Sequence, residues 1–389
     1  MGTYISSNAN RCYVATEPAF GRAASITNAN RFPVLRLQVQ QSLQAGRRLD
    51  KTGTRSFLGI SNSSRRYTSF EALAYLTSWA GSGEPAYGPF FQGACGAPAR
   101  ASLNITINGL QGVLQFTSVL EHGLAVGSGV AFGNEIRFVT NVIDSTTFQI
   151  NAPFRSAPQP GNSLAATVTY ALAANLPSVT IYDYWDPITA VSRVITGAAV
   201  DTLRLTVNGD FHEFSFAGPA ADLLDSSSFV PGSAGLAAYP VEPRVGKGDY
   251  SIVPGHLGEV WLGSPASQFF TLVGASLMLK NNIDLRDREF GSSYPLGISP
   301  GAREVITRFS LLAQDDAQTI ALYAAAKQRS PIASMLQLGQ QRGQIMGVFM
   351  PRVVPEIPAF NDDKLRLQWD FNNNLAEGVA DDEIYFAFA

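Results

Sequence analysis

The chain has 389 residues, of which 46% are hydrophobic and 15% charged, with a net charge of −3. Such a composition fills real cores and excludes a disordered chain. So small a net charge gives no electrostatic ground for a nucleic-acid or membrane partner, and no apolar run approaches the ~20 residues of a membrane span.

The expectation is therefore a soluble protein. The opening residues MGTYISSNAN lack a basic stretch followed by an apolar one, and Cys12 and Cys95 are too few for a disulfide framework, which together fit a cytoplasmic origin. Residues 1–6 match the N-myristoylation pattern and Asn62 and Asn104 sit in glycosylation sequons. These patterns are short, and nothing around them supports a membrane anchor or a secreted context.

Along the chain, Leu35–Val39 alternates apolar and polar residues, the period-two signal of a half-buried strand. A charged, Gly-containing loop follows, QAGRRLDKTGTRS (44–56), and then LGIS (58–61). A strand is predicted over 66–77 and a short helix over 86–95. Residues 101–172, from ASLNITINGLQ to TVTYAL, form a strand-rich block with its own turns, and read as a small β-domain inserted into a loop.

Beyond it, Leu203–Val207 alternates again. A second charged loop, NNIDLRDREFGSS (281–293), leads to a second LGIS (296–299). A strand is predicted over 304–313. The segment 315–328, DDAQTIALYAAAKQ, has acidic residues at its start, lysine in its last turn and Ser330-Pro331 beyond, and is predicted helical. Leu365–Trp369 alternates a third time. With thirty-five glycines and twenty-two prolines between short strands, the fold class expected is mainly β, a sandwich or barrel.

A four-residue identity proves little alone. At its offset of 238, however, Phe32 meets Phe270, Gly53 meets Gly291 and Arg65 meets Arg303, while Val34 and Val39 meet Leu272 and Leu277. In each copy a strand and then a helix follow. Later, DTLRL (201–205) echoes DKLRL (363–367) at an offset of 162, and the shortfall of 76 matches the block at 101–172. The expected organisation is a first domain of 1–100 with 173–215, the insert at 101–172, and a second domain at 216–389.

Enzymatic chemistry finds little footing. His122, His212 and His256 are isolated, without metal-ligand spacing. Neither cysteine has a histidine partner in the sequence, and there is no nucleophile elbow, Walker A or dinucleotide fingerprint. Asp183 with Asp186, and Asp381-Asp382-Glu383, are carboxylate groups of a kind that flank sugars or hold cations, but they are also common on solvated β-loops. The reading is not an enzyme, with no cofactor and no metal.

Charge distribution says more. Residues 1–66 carry ten basic side chains against two acidic, and 356–389 carry eight acidic against two basic. Solvated faces of unrelated strands account for this; so do complementary surfaces that meet between subunits and fix their register.

The segments GRRLDKTGTRSFLG (46–59), YLTSWAGSGEPAYGPFFQ (75–92), FAGPAADLLDSSSF (216–229) and LRLQWDFNNNLAEGVADDEIYFAFA (365–389) resemble the major tail tube protein of long, non-contractile-tailed bacteriophages. The resemblance covers most of the chain outside 101–172. It implies tube domains that are β-sandwiches or barrels, each with a flanking helix and a long loop, in rings of six domains around a channel. Two fused domains imply homotrimeric, pseudo-hexameric rings, stacked into a tube within the virion tail after assembly in the host cytoplasm. Implied partners are further copies of the chain, the tail terminator, tail tip and tape measure proteins, and DNA that passes without specific binding.

By the same resemblance, Arg47, Arg48, Asp50, Lys51 and Arg55 in the first loop, and Asp284, Arg286, Asp287, Arg288 and Glu289 in the second, are candidates for ring-to-ring contacts. A sliding polyanion favours a lining that does not bind phosphate. Asp210, Glu213, Asp370 and Glu377 are candidates for that lining, with the outside of the tube as their alternative place. The insert is expected to project from the outer wall. Rival readings are a tail-tip or connector ring, which forms one ring only, and a carbohydrate-binding β-protein.

Overall fold

Side-chain alternation sorts the strands into two layers. The computed structural model describes residues 4–46, 49–57, 59, 64–79, 84–207, 209–244, 250–363 and 365–389. It is mainly β, with two α-helices among the described residues, α1 (Gly88–Cys95) and α2 (Ala317–Gln328). Both lie where the sequence predicted helix. For α2 the reason is local: the Asp316 carboxylate accepts from the Thr319 N–H at 2.7 Å, and Arg329 closes the helix in a left-handed conformation.

The inner layer is a run of antiparallel strands in the order Val34–Gln44, Arg65–Tyr75, His212–Ala220, Thr202–Val207, Leu272–Lys280, Glu304–Leu312, Gln368–Ala376 and Ala359–Asn361. The first four and the last four repeat one pairing order. The seam between them is the ladder from Thr202↔Lys280 to Val207↔Ala275. Even a defect recurs: a bulge between Val34 and Arg36 against Arg65–Tyr75 returns between Leu272 and Gly274 against Glu304–Leu312. Bulges re-aim a strand at one point, and the same one at the offset of 238 marks Val34–Gln44 and Leu272–Lys280 as counterparts.

The outer layer repeats as well. Arg31–Phe32, Asn10–Thr16, Val179–Trp185 and Arg193–Ala198 are neighbours in a sheet of their own, as Ser267–Phe269, Gly258–Gly263, Ile332–Leu338 and Met346–Val354 are in a second one, which stays joined to the inner layer where Val353 and Val354 pair with Ala376 and Leu375. Between the layers lies a core rich in aromatic rings. Phe91 of α1 is fully buried and meets Phe214, Phe216, Phe386 and Phe388 at 5.2–5.6 Å.

Two features differ from the sequence reading. The DTLRL and DKLRL segments are not counterparts: Thr202–Val207 is a strand, whereas Asp362, Asp363 and residues 365–367 lie outside the strands, between Ala359–Asn361 and Gln368–Ala376. The alternation L-R-L suits any half-buried strand, so identity there carried no register. The boundary at 215/216 also falls inside His212–Ala220, which pairs with Arg65–Tyr75 throughout and belongs with the first set of strands.

The insert is a barrel of its own. Its strands run Ser163–Leu164, Ile105–Gln111, Gln115–Ser118, Thr147–Ile150, Glu135–Val142 and Gly129–Phe132, and an Ala131–Ala165 bridge joins last to first. Val168–Ala171 lies outside it, pairing with Tyr385–Phe388 in the second outer sheet. The barrel does not project freely. Ile136 and Phe138 pack with Trp261, Met335 and Phe349 on that sheet, the Phe138 and Phe349 rings stacking at 5.3 Å.

Arg137, with no exposed surface, sits in this contact between Glu135 (2.7 Å) and Glu259 (3.1 Å), its guanidinium 5.1 Å from the Trp261 ring. The corresponding face of the first outer sheet is covered differently. There Phe229, Leu236 and Tyr239 from the connecting segment pack on Tyr13, Tyr182 and Tyr184, and Arg11 bonds Glu242 at 2.7 Å.

Candidate assembly interface

Among the described residues the inner sheet ends in two unpaired edges. There Val34–Gln44 pairs on one side only, with Arg65–Tyr75, and Ala359–Asn361 only with Gln368–Ala376. An exposed strand of this length is a template for another chain. Leu35 and Leu43 stand largely exposed on it, and Phe360 is 57% exposed at the other end.

The repeat says what each edge expects. Leu272–Lys280, the counterpart of Val34–Gln44, has its second edge filled by Thr202–Val207. Ala359–Asn361 is the counterpart of Thr202–Val207: Leu205 pairs with Phe214 and Phe214 with Ala74, as Phe360 pairs with Trp369 and Trp369 with Leu311. Ala74 and Leu311 occupy the same place beside the shared bulge, opposite Val34 and Leu272. Leu205 faces Leu277 across the seam, and Leu277 corresponds to Val39. Joined as the seam is joined, two chains place Phe360 opposite Val39. Phe360 is already oriented by Trp369, whose ring stacks on it at 5.3 Å, and by Tyr323 of α2 at 6.1 Å.

The other face of this sheet is solvated and carries both signs of charge. Buried Leu203, Leu205, Phe214, Leu277 and Phe309 alternate with outward Arg204, Glu213, Lys280 and Arg308. Arg36 pairs with Glu71 at 3.3 Å on the same face. Ser276, Ser310, Thr206 and Gln38 fill much of the rest.

Of the four acidic lining candidates, Glu213 lies on this face opposite Tyr75 and Thr206, and Asp370 accepts from Ser310 and from Gln368 Nε2. Asp210 lies just before His212–Ala220, where its carbonyl accepts from the Gly255 N–H at 2.8 Å; Glu377 is exposed beyond the strand end. Glu213 shares this face with Arg204, Lys280 and Arg308.

Of the loop residues, Arg47 and Arg48 lie outside the described residues, as do Leu58, Ile60 and Ser61 of the first LGIS. Asp50, Lys51 and Arg55 are exposed in a stretch without regular structure. The second loop is folded. Asp284–Leu285 pairs with Ile298–Ser299, the second LGIS, and the Arg286 guanidinium donates to Glu289. Asp287 and Arg288 are 3.9 Å apart, Arg288 exposed and Asp287 partly covered.

This loop reaches the first set of strands. The Arg66 N–H donates to the Ser293 carbonyl at 2.9 Å, the Arg66 guanidinium lies 5.5 Å from the Tyr294 ring, and a cleft of about 990 Å³ remains between the loop and the sheet.

The carboxylates weighed for sugar or cation binding are each taken by an arginine. Asp183, fully buried, is bonded by Arg193 at 2.6 Å; Arg11 holds Asp186; Arg303 lies 2.9 Å from Asp381 and 3.4 Å from Glu383; Arg352 lies 2.8 Å from Asp382. Among the described residues no group of histidine, cysteine and carboxylate side chains is placed to hold a metal ion. No helix among them is long and apolar enough to cross a membrane. No protein-family model matches the chain, and no curated protein matches it.

Proposed function

We propose that this chain is a structural subunit whose copies pair edge to edge into closed rings of three, and that the rings stack into the tube of a phage tail through which DNA passes. The observation that carries the proposal is the internal template. One edge of each repeat is satisfied within the chain at the Thr202–Val207 seam, and the equivalent edges, Val34–Gln44 and Ala359–Asn361, are left open at opposite ends of the same sheet. Closure into a ring pairs both of these edges and removes their aggregation liability. Its solvated face, with hydroxyls, amides and charges of both signs, suits a bore that must not hold phosphate tightly.

A double variant, Val39→Cys with Phe360→Cys, tests the closure. The native cysteines, Cys12 and Cys95, are buried, so the new thiols are the accessible ones. Residues opposite one another in adjacent strands lie within disulfide reach. Mild oxidation is expected to give covalent trimers on a non-reducing gel, and electron microscopy of the same sample to show stacked rings. A lasting monomer, or a ladder of open polymers, overturns ring closure; single unstacked rings favour a tail-tip or connector ring instead.

A further inference from the structure

The segment that leads into the second outer sheet is stitched into the first set of strands. The Val253 N–H donates to the Leu76 carbonyl at 3.0 Å, Ile252 bridges Thr77, Pro254 bridges Phe211, and the Gly255 N–H donates to the Asp210 carbonyl at 2.8 Å. Val253 is fully buried. This segment runs straight into the strand Gly258–Gly263.

That strand has a counterpart at Asn10–Thr16. Cys12 pairs with Phe32 and Tyr13 with Tyr182, as Val260 pairs with Phe269 and Trp261 with Met335. The offset is 248 residues, and both strands begin in step, at Asn10 and at Gly258. Tyr4, Ile5, Ser6 and Ser7 therefore stand where Ile252, Val253, Pro254 and Gly255 stand in the repeat. Yet Tyr4 is fully exposed and Ile5 half exposed, whereas Val253 has no exposed surface.

The slot that would receive them is also present, and among the described residues no strand is paired there. Ala313 and Gln314 correspond to Leu76 and Thr77, and Leu365 to Leu367 correspond to Asp210 to His212. The scaffold bond is reproduced: the Ala313 N–H donates to the Leu367 carbonyl at 2.9 Å, as the Leu76 N–H donates to the His212 carbonyl at 2.9 Å. Leu365 is fully exposed at the rim.

Resting on the ring reading above, we propose that residues 4–7 of one chain add as a short strand to the neighbouring copy, between its Ala313–Gln314 and its Leu365–Leu367. Ile5 is buried there as Val253 is buried within its own chain, its N–H donating to the Ala313 carbonyl, with Ser6 opposite Arg366. The partner is a second copy of this chain, and the same neighbour that pairs Phe360 with Val39. The segment locks the ring joint from outside the sheet ladder.

Two measurements test this. A Ser6→Cys, Arg366→Cys double variant is oxidised beside the Val39→Cys, Phe360→Cys variant. Covalent trimers from both pairs support the proposal. Trimers from the Phe360 pair alone overturn the segment docking and leave the ring standing, while no trimer from the Phe360 pair overturns both. Separately, Ile5→Asp is expected to leave the thermal unfolding of the isolated chain unchanged and to raise the concentration needed for ring formation by about tenfold or more. Unchanged ring formation in Ile5→Asp overturns the inference, because a charge cannot occupy the site of Val253 without that cost.

Discussion

His212 ties stability to pH at the seam between the two repeats. It is 1% exposed, and burial pushes its pKa down to about 4 from the ordinary value of 6.5. It borders a cavity of about 410 Å³ whose other polar walls include His256, Glu259, Gln337 and Arg155. Above pH 6.5 the imidazole is neutral whether the chain is folded or not, and its burial costs nothing in charge. Between 6.5 and 4 the unfolded chain takes up a proton that the folded chain refuses, so stability falls as pH falls; below about 4 the loss is complete. A gap of about 2.5 in pH, at ~1.4 kcal/mol for each, gives about 3 kcal/mol.

The repeat itself supplies the control, since Leu367 occupies the corresponding place. His212→Leu and the native chain are compared by urea unfolding at several values between pH 7 and 4, so that titration of carboxylates common to both cancels. The stability of His212→Leu relative to native is expected to rise by about 3 kcal/mol across that range. A difference that stays constant with pH refutes the reasoning, because it leaves His212 without a depressed pKa.

The insert offers two further tests. Arg137→Met leaves the buried Glu135 and Glu259 with only the largely exposed Arg155 as cation, and is expected to cost about 3 kcal/mol of the docked state, measured as earlier proteolysis within 102–166 and an earlier first unfolding transition. Replacing 103–166 by a short Gly/Ser link is sterically simple, since the Ser102 N–H already donates to the Thr167 carbonyl. It uncovers Trp261, Met335 and Phe349, so light scattering is expected to show association of the variant even when Phe360→Asp blocks the ring edge.

The sequence displayed the fold class and the repeat because both write themselves in alternation. Leu203–Val207 is a strand of the inner sheet, and 304–313 and 315–328 lie within a residue or two of the strand and helix found. It hid the second half of the repeat because the counterparts differ in chemistry: Leu205 answers to Phe360, and Phe214 to Trp369. Pairing partners, not residue types, reveal that match. The open edges were equally hidden, since an edge is a missing neighbour, which no single strand records. Tyr4–Ser7 shares no residue with Ile252–Gly255, so its relation to that segment appears only through the strands that follow each. The mixed charge of the solvated face was legible in principle, for Arg204, Lys280 and Arg308 alternate with buried residues, but only once the strands are known to lie side by side.

The two outer faces are covered by different material, the first by the connecting segment and the second by the barrel at 105–164. A ring of three such chains repeats its strand wall six times and its exterior three times. The bore and the rind then have different symmetry, and a ligand inside meets twice as many equivalent positions as one outside. The strand positions answer to the first count, although Glu71 stands in one repeat where Arg308 stands in the other, and exposed Val113 and Leu120 on the barrel answer to the second. Because the described strands of the barrel pair only with one another, its surface is free to change without disturbing the strand wall.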